Sequence, residues 1–196
     1  MILPALMELH AQFGTRVQVD LIGFLASAPA PGWIGRVTPP PHATRSYAGF
    51  VQWIIRAGSW DIGLAPLVDS PFNASKSPIK TLDYAALGLA TLASDVPSYR
   101  GSVADGHGGM LTSNTTTAWY EALSRLVRDH ALRRRLSEGG LRRFQETGTL
   151  AAQGQTWRRA WGQDAKGQSA KGQSEQSRIG KNQMGNNRAE PRLVRG

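Results

Sequence analysis

Residues 60–94 run WDIGLAPLVDSPFNASKSPIKTLDYAALGLATLAS, a strand, a polar loop, a helix and a second strand in succession. Trp60 to Leu67 is a nearly continuous apolar run with a proline near its end, the pattern of a strand buried on both faces of a parallel sheet. The loop from Val68 to Ser77 is polar and opens onto a helix. Ser77 is placed to cap that helix, Pro78 suits its first turn, and Gly88 ends it. Leu89 to Ser94 then reads as a short strand. A strand–helix–strand unit of this length needs a parallel sheet.

The flanking sequence extends the alternation in both directions. Leu3 to Phe13 places Leu6, His10 and Phe13 on one helical face, and Gly14 stops it. Val17 to Phe24 reads as a strand, and a further short strand is expected around Ile34 to Val37. Tyr47 to Ala57 carries Phe50, Ile54 and Ala57 as a helical stripe. After the glycine-rich turn DGHGG, Met110 and Leu111 suggest another strand. Trp119, Ala122, Leu123, Leu126 and Val127 then follow the spacing of an amphipathic helix, with Arg125 and Arg128 outside it. Helices are expected over roughly 131–145 and 150–161. The predicted fold is α/β, a Rossmann-like parallel sheet flanked by helices.

Composition narrows the chemistry. The chain has 196 residues, 40% of them hydrophobic and 19% charged, enough for a real core. It has no cysteine, which excludes disulfides, thiolate catalysis and cysteine-bound zinc or iron–sulfur centres. The most apolar run, Leu21 to Gly35, is short and broken by Pro29 and Pro31, so no membrane span is predicted. The N-terminus lacks a basic region and carries Glu8 and His10 within its apolar stretch, unlike a secretory signal. These features are read as a cytoplasmic protein. The formal charge is +9, with 23 basic and 14 acidic residues. Seven of the basic and three of the acidic residues lie from Gln163 onward, so the preceding domain is only mildly basic.

The composition changes at Gln163, where a tandem AKGQS repeat begins a stretch with almost no apolar side chains. The expected organisation is one α/β domain over 1–162 and a disordered basic tail over 163–196, which cannot bury enough surface to offset its ordering entropy. The tail reads either as a loose electrostatic tether or as an inert extension.

In a parallel α/β sheet, ligands bind outside the carboxyl ends of the strands. The loop leading into the 78–88 helix therefore occupies a ligand position, and orphan amides at a helix start favour phosphate. Lys76 and Lys80, four apart, add cationic charge, and Asp83 one turn later is an acceptor for ribose hydroxyls. That order of groups suits a nucleoside diphosphate. The alternative is that Ser77 merely caps the helix while Lys76, Lys80 and Asp83 form surface pairs.

The stretch from Trp60 to about Leu136 resembles the carboxyl-terminal, donor-binding domain of GT-B-type glycosyltransferases, the "glycosyl transferases group 1" family. The features that carry the resemblance are WDIGLAPL, PFNASKSPIK, LDYAALGLATLAS and the turn DGHGGMLTSN, followed by a tryptophan-bearing helix. Asp83 matches the second acid of that family's two-acid motif, which holds the donor ribose. Ser75 stands where many members have the first acid, and Ala90 replaces a usual proline. The resemblance implies transfer of a glycosyl group from a nucleoside diphosphate sugar to an unknown acceptor. It implies donor binding by Asn73, Ala74, Ser75, Lys76, Ser77, Lys80 and Asp83, with the leaving diphosphate stabilised by the loop amides and lysines. Catalytic residues stay unassigned. No metal and no cofactor beyond the donor substrate is called for. By the same resemblance, Met1 falls within the first helix of the second GT-B domain. The amino-terminal domain and one core strand are then lacking, and the isolated chain is expected to be inactive unless that domain is supplied separately.

Other features yield weaker readings. His107 in ADGHGGM is a candidate base or a plain turn residue. His10, His42 and His130 show no metal spacing. The run RLVRDHALRRRLSEGGLRR is either a solvated helix face or a basic patch for peripheral contact with a membrane. Trp157 and Trp161 are expected either to pack or to expose an apolar patch. Rival functions are a degenerate, non-catalytic nucleotide-binding or interaction module and a nucleic-acid-binding protein. The latter rests on charge alone, so no specific nucleic-acid partner is expected. A doubly wound signalling domain would need clustered acids after the first strand, and Asp20 does not supply them.

Overall fold

The computed structural model describes residues 2–23, 30–58, 60–103, 108–154, 157–158 and 161. His107, the first half of the DGHGG turn and the tail from 162 onward lie outside them. The chain divides into two units, Met1–Thr149 and Leu150–Gly196. In the second, residues 150–154, 157–158 and 161 are helical, and the Trp157 and Trp161 rings lie 6.2 Å apart, both exposed.

The first unit follows the expected alternation. Helix α1 (Ile2–Phe13) leads into β1 (Val19–Ile22) and β2 (Ile34–Val37), and α2 (Tyr47–Ala57) leads into β3 (Ile62–Ala65). Short α3 (Pro71–Ala74) and α4 (Ile79–Ala86) precede β4 (Ala90–Ser94). Short α5 (Pro97–Arg100) precedes β5 (Gly109–Thr112), and α6 (Thr116–Arg128) and α7 (His130–Arg143) follow. A π-helical turn, Phe144–Gly148, extends α7. All paired strands are parallel, with α3 and α4 between β3 and β4 and α5 between β4 and β5. The sheet comes in two pieces, β1-β2 and β3-β4-β5, rather than as one ladder.

Local sequence sets the helix ends. Ser46 Oγ accepts from the Gly49 amide at 3.1 Å to start α2, and Thr115 Oγ1 accepts from Ala118 at 3.1 Å to start α6. Asp129 ends α6 and starts α7, its Oδ1 accepting from Leu132 N at 2.8 Å. Arg133 Nη1 donates back to the carbonyls of Leu126 and Val127, which have no intrahelical partner. The α4 start differs from expectation. Pro78 occupies the cap position, no side chain caps the helix, and Ser77 lies outside it. The capping serine is Ser70 instead, which accepts from Asn73 N at 3.2 Å and starts α3 one step earlier. A serine followed by proline is a better helix start at 70–71, where the proline sits inside the first turn. Gly88 takes φ +68 after α4, a left-handed turn that favours glycine.

One core cluster joins Leu6 and Leu9 of α1, Leu92 of β4, Trp119, Leu123 and Leu126 of α6, and Leu132 and Leu136 of α7. Val19 of β1 and Ile62 and Leu64 of β3 pack against it, so both pieces of sheet share one helical layer. The opposite face of β3-β4-β5 packs Ala65, Ala93, Val96, Tyr99 and Val103. Helix α2 buries none of its residues fully, and its Phe50–Ile54 stripe is only half-covered.

Gly63 sets how α4 lies on β3. A Cβ there would stand 2.5 Å from Tyr84 Cδ2, so the tyrosine ring needs a glycine beneath it. The Tyr84 hydroxyl then reaches the Leu64 carbonyl at 2.9 Å, and burial pushes its phenol up to about 12. Gly63→Ala is expected to destabilise by about 1–3 kcal/mol through overpacking. In a Tyr84→Ala background the same change should cost much less in urea unfolding, because the two sites couple by contact. Equal costs in both backgrounds would show that the ring does not depend on Gly63.

Candidate functional site

The carboxyl end of β3 is fixed by three polar residues. Ser94 Oγ, fully buried at the end of β4, accepts from Leu67 N at 2.8 Å and donates to Asn114 Oδ1 at 2.7 Å. Asn114 Nδ2 donates to Leu67 O at 2.8 Å. Leu67 is thereby held on both its backbone groups, and the loop that follows leaves from a rigid point. Asn73 tightens that loop, its Nδ2 donating to Val68 O at 2.7 Å.

Asn73 and Ala74 belong to α3, and Ser75 is its C-cap. Lys76 donates its amide to Asn73 O at 3.2 Å and lays its ammonium 4.9 Å from the Phe72 ring centroid. That cation–π contact directs Lys76 toward α3. Ser75 and Ser77 are exposed. Lys80 and Asp83 lie one turn apart on α4, close enough for the ammonium to act on the carboxylate. Lys80 thus acts on Asp83 through its charge and Lys76 lies against Phe72, and no direct contact links the two pairs among the described residues.

Asp83 Oδ1 accepts a hydrogen bond from the Tyr47 hydroxyl of α2. Partial burial pushes the Asp83 carboxyl above its ordinary value, against the opposing pull of that bond and of Lys80. Tyr47 is pushed up to about 12, first by burial of its hydroxyl end and then by the adjacent carboxylate, although the residue as a whole is 54% exposed. One carboxylate oxygen is therefore occupied, and Oδ2 has no partner among the described residues.

Sequence reasoning did not single out Tyr47, Ser94 or Asn114 as site residues. Ser94 ends β4 and Asn114 lies just past β5, and polar residues at that edge are a usable signal. Nothing local in SYAGF marks Tyr47. The arginines of the basic run are partly engaged within the domain. Arg128 lies over Phe13, Arg134 pairs with Glu138 at 2.8 Å, and Arg143 donates to Gly101 O at 2.7 Å. Among the described residues no group of three or more acidic or histidine side chains could hold a metal, and no helix is long and apolar enough to cross a membrane.

No protein-family model matches the sequence, and a search of curated proteins finds no match. Among solved structures, the chain is similar to sucrose-phosphate synthase from Thermosynechococcus elongatus, with a TM-score of 0.57 and 18% identity. The match covers 82% of this chain and 42% of the synthase, so the chain spans less than half of that protein's length. The likeness is one of fold: parallel strands flanked by helices, as in a Rossmann-like half of a GT-B fold.

Proposed function

We propose that the chain binds a nucleoside diphosphate sugar at the carboxyl edge of β3-β4-β5 and acts as the donor half of a glycosyltransferase. The observation that carries this reading is the fold likeness to part of a sucrose-phosphate synthase. The loop between β3 and α4 lies at the strand edge where such folds take their ligands. In this reading the free amides at the start of α4, the Ser75 and Ser77 hydroxyls and Lys80 receive the diphosphate, and Lys76 swings off Phe72 to join them. Asn73 and Ala74 shape the loop, and Asp83 Oδ2 accepts from a ribose hydroxyl.

Glycosyl transfer leaves negative charge on the departing diphosphate. Fixed amides and ammonium groups aimed at those oxygens stabilise that charge without reorganising during the reaction. The acceptor and the sugar are outside what these residues address.

Calorimetric titration with UDP, ADP, GDP, their sugars and the matching monophosphates tests the reading. A β-phosphate adds charged hydrogen bonds of about 1.5–3 kcal/mol each, so one diphosphate should bind at least about tenfold tighter than its monophosphate. Equal affinity for the two, or no binding by any of them, would overturn it.

A further inference from the structure

Helix α2 is held lightly to the rest of the first unit. It has no fully buried residue, and Phe50, Val51, Trp53 and Ile54 are each half-covered. Its main packing partner is the 3-10 turn Ala43–Arg45, separated from it by Ser46 alone. Among the described residues, the bond from the Tyr47 hydroxyl to Asp83 Oδ1 is the only side-chain hydrogen bond from α2 to another helix or strand. Tyr47 opens α2, so this bond ties the start of that helix to α4. An element with little buried apolar surface and a single tertiary hydrogen bond belongs to the easily opened part of a fold.

The same carboxylate is the one assigned to the ribose. A ribose presents two adjacent hydroxyls, and an ionised carboxylate presents two accepting oxygens. Oδ1 is committed to Tyr47, whereas Oδ2 has no partner among the described residues. One ribose hydroxyl therefore fits beside Tyr47, and the second competes with Tyr47 for Oδ1. The exchange replaces one O–H donor on a carboxylate by another, and the tyrosine, 54% exposed as a residue, returns its hydroxyl to water. The second hydroxyl has the advantage of its tether, because the first hydroxyl and the diphosphate already hold it at the site.

We infer that the Tyr47–Asp83 hydrogen bond is an autoinhibitory latch, so that a ribose diol on Asp83 and a docked start of α2 exclude each other. This inference rests on the donor-site reading and adds a moving part to it. The coupling is reciprocal: a bound ribonucleotide loosens α2, and whatever holds α2 down weakens the ribonucleotide. A nucleotide without the 2′-hydroxyl needs Oδ2 alone and leaves the latch closed. Tyr47→Phe removes the latch and leaves Asp83 in place.

Calorimetric titration and amide hydrogen exchange on the full chain and its Tyr47→Phe variant test the inference, with UDP, ADP and GDP and their 2′-deoxy forms as probes. The variant should bind its preferred ribonucleotide at least about threefold tighter than wild type, the scale of one net hydrogen bond, and the deoxy form with about the same affinity. Without ligand, the amides of Phe50 to Ala57 should exchange at least about threefold faster in the variant. In wild type a saturating ribonucleotide should speed those amides and the deoxy form should not, and in the variant neither should. Ribonucleotide affinity equal in the two proteins would overturn the latch and leave the donor site standing. So would α2 amides that a ribonucleotide leaves unchanged or slows in wild type. No binding of any probe by either protein would overturn the donor-site reading and the latch together.

Discussion

Trp119→Ala is expected to destabilise the first unit by about 3–5 kcal/mol, the range for truncating a fully buried large aromatic side chain. Trp119 is 0% exposed and sits among Leu92, Leu123, Leu126 and Leu136, where α6 and α7 meet β4. A domain of this size holds about 5–15 kcal/mol in total, so the variant loses a large part of its stability. The thermal midpoint should fall by about 6–20 °C. Trp119→Phe separates volume from chemistry. The indole N–H is buried with no hydrogen-bond partner among the described residues, so phenylalanine removes an unsatisfied donor along with some volume. It should therefore cost well under half as much as alanine in urea unfolding. An alanine variant within about 1 kcal/mol of wild type would show that α6 is not anchored as described.

Asp83→Ala carries the largest expected effect on binding. A charged hydrogen bond contributes about 1.5–3 kcal/mol, and tenfold in affinity is about 1.4 kcal/mol. Loss of the ribose acceptor should thus weaken nucleoside diphosphate binding about tenfold or more. Deoxyribonucleotides should bind wild type more weakly than ribonucleotides, yet bind the variant about equally. The Tyr47 contact adds a control, because Tyr47 already occupies Oδ1. Tyr47→Phe frees that oxygen and should leave ribonucleotide affinity unchanged or improved, whereas a purely structural Tyr47–Asp83 pair predicts the same loss from either variant. Equal binding of ribose and deoxyribose ligands by wild type would mean that Asp83 serves the α2–α4 contact alone.

Hydrophobic periodicity made most of the fold legible. Tyr47–Ala57 and Ile34–Val37 form the elements their patterns predict, and the Trp119–Leu123–Leu126 spacing supplies the core stripe of α6. Those signals are local, and packing reinforces each of them. The α4 start was misread because Ser70-Pro71 and Ser77-Pro78 carry the same local signal, and only the first places its serine on a helix amide. No local pattern marks the break between β1 and β3, because pairing is decided by which strands become neighbours and not by the residues within one strand. At the candidate site, the one-turn spacing of Lys80 and Asp83 follows from the helix alone. Tyr47 reaching Asp83 and Asn114 reaching Leu67 are contacts across 36 and 47 residues, which no local pattern encodes.

Amide chemical-shift mapping of the full chain during titration with a nucleoside diphosphate tests the central claim most directly, since it reports where the ligand sits. The account predicts that the largest saturable shifts fall on Leu67 to Ser70 and Asn73 to Asp83, with smaller ones at Tyr47 and Asn114. Largest shifts on the α6 surface around Tyr120 to Asp129, or the absence of any saturable shift, would contradict it.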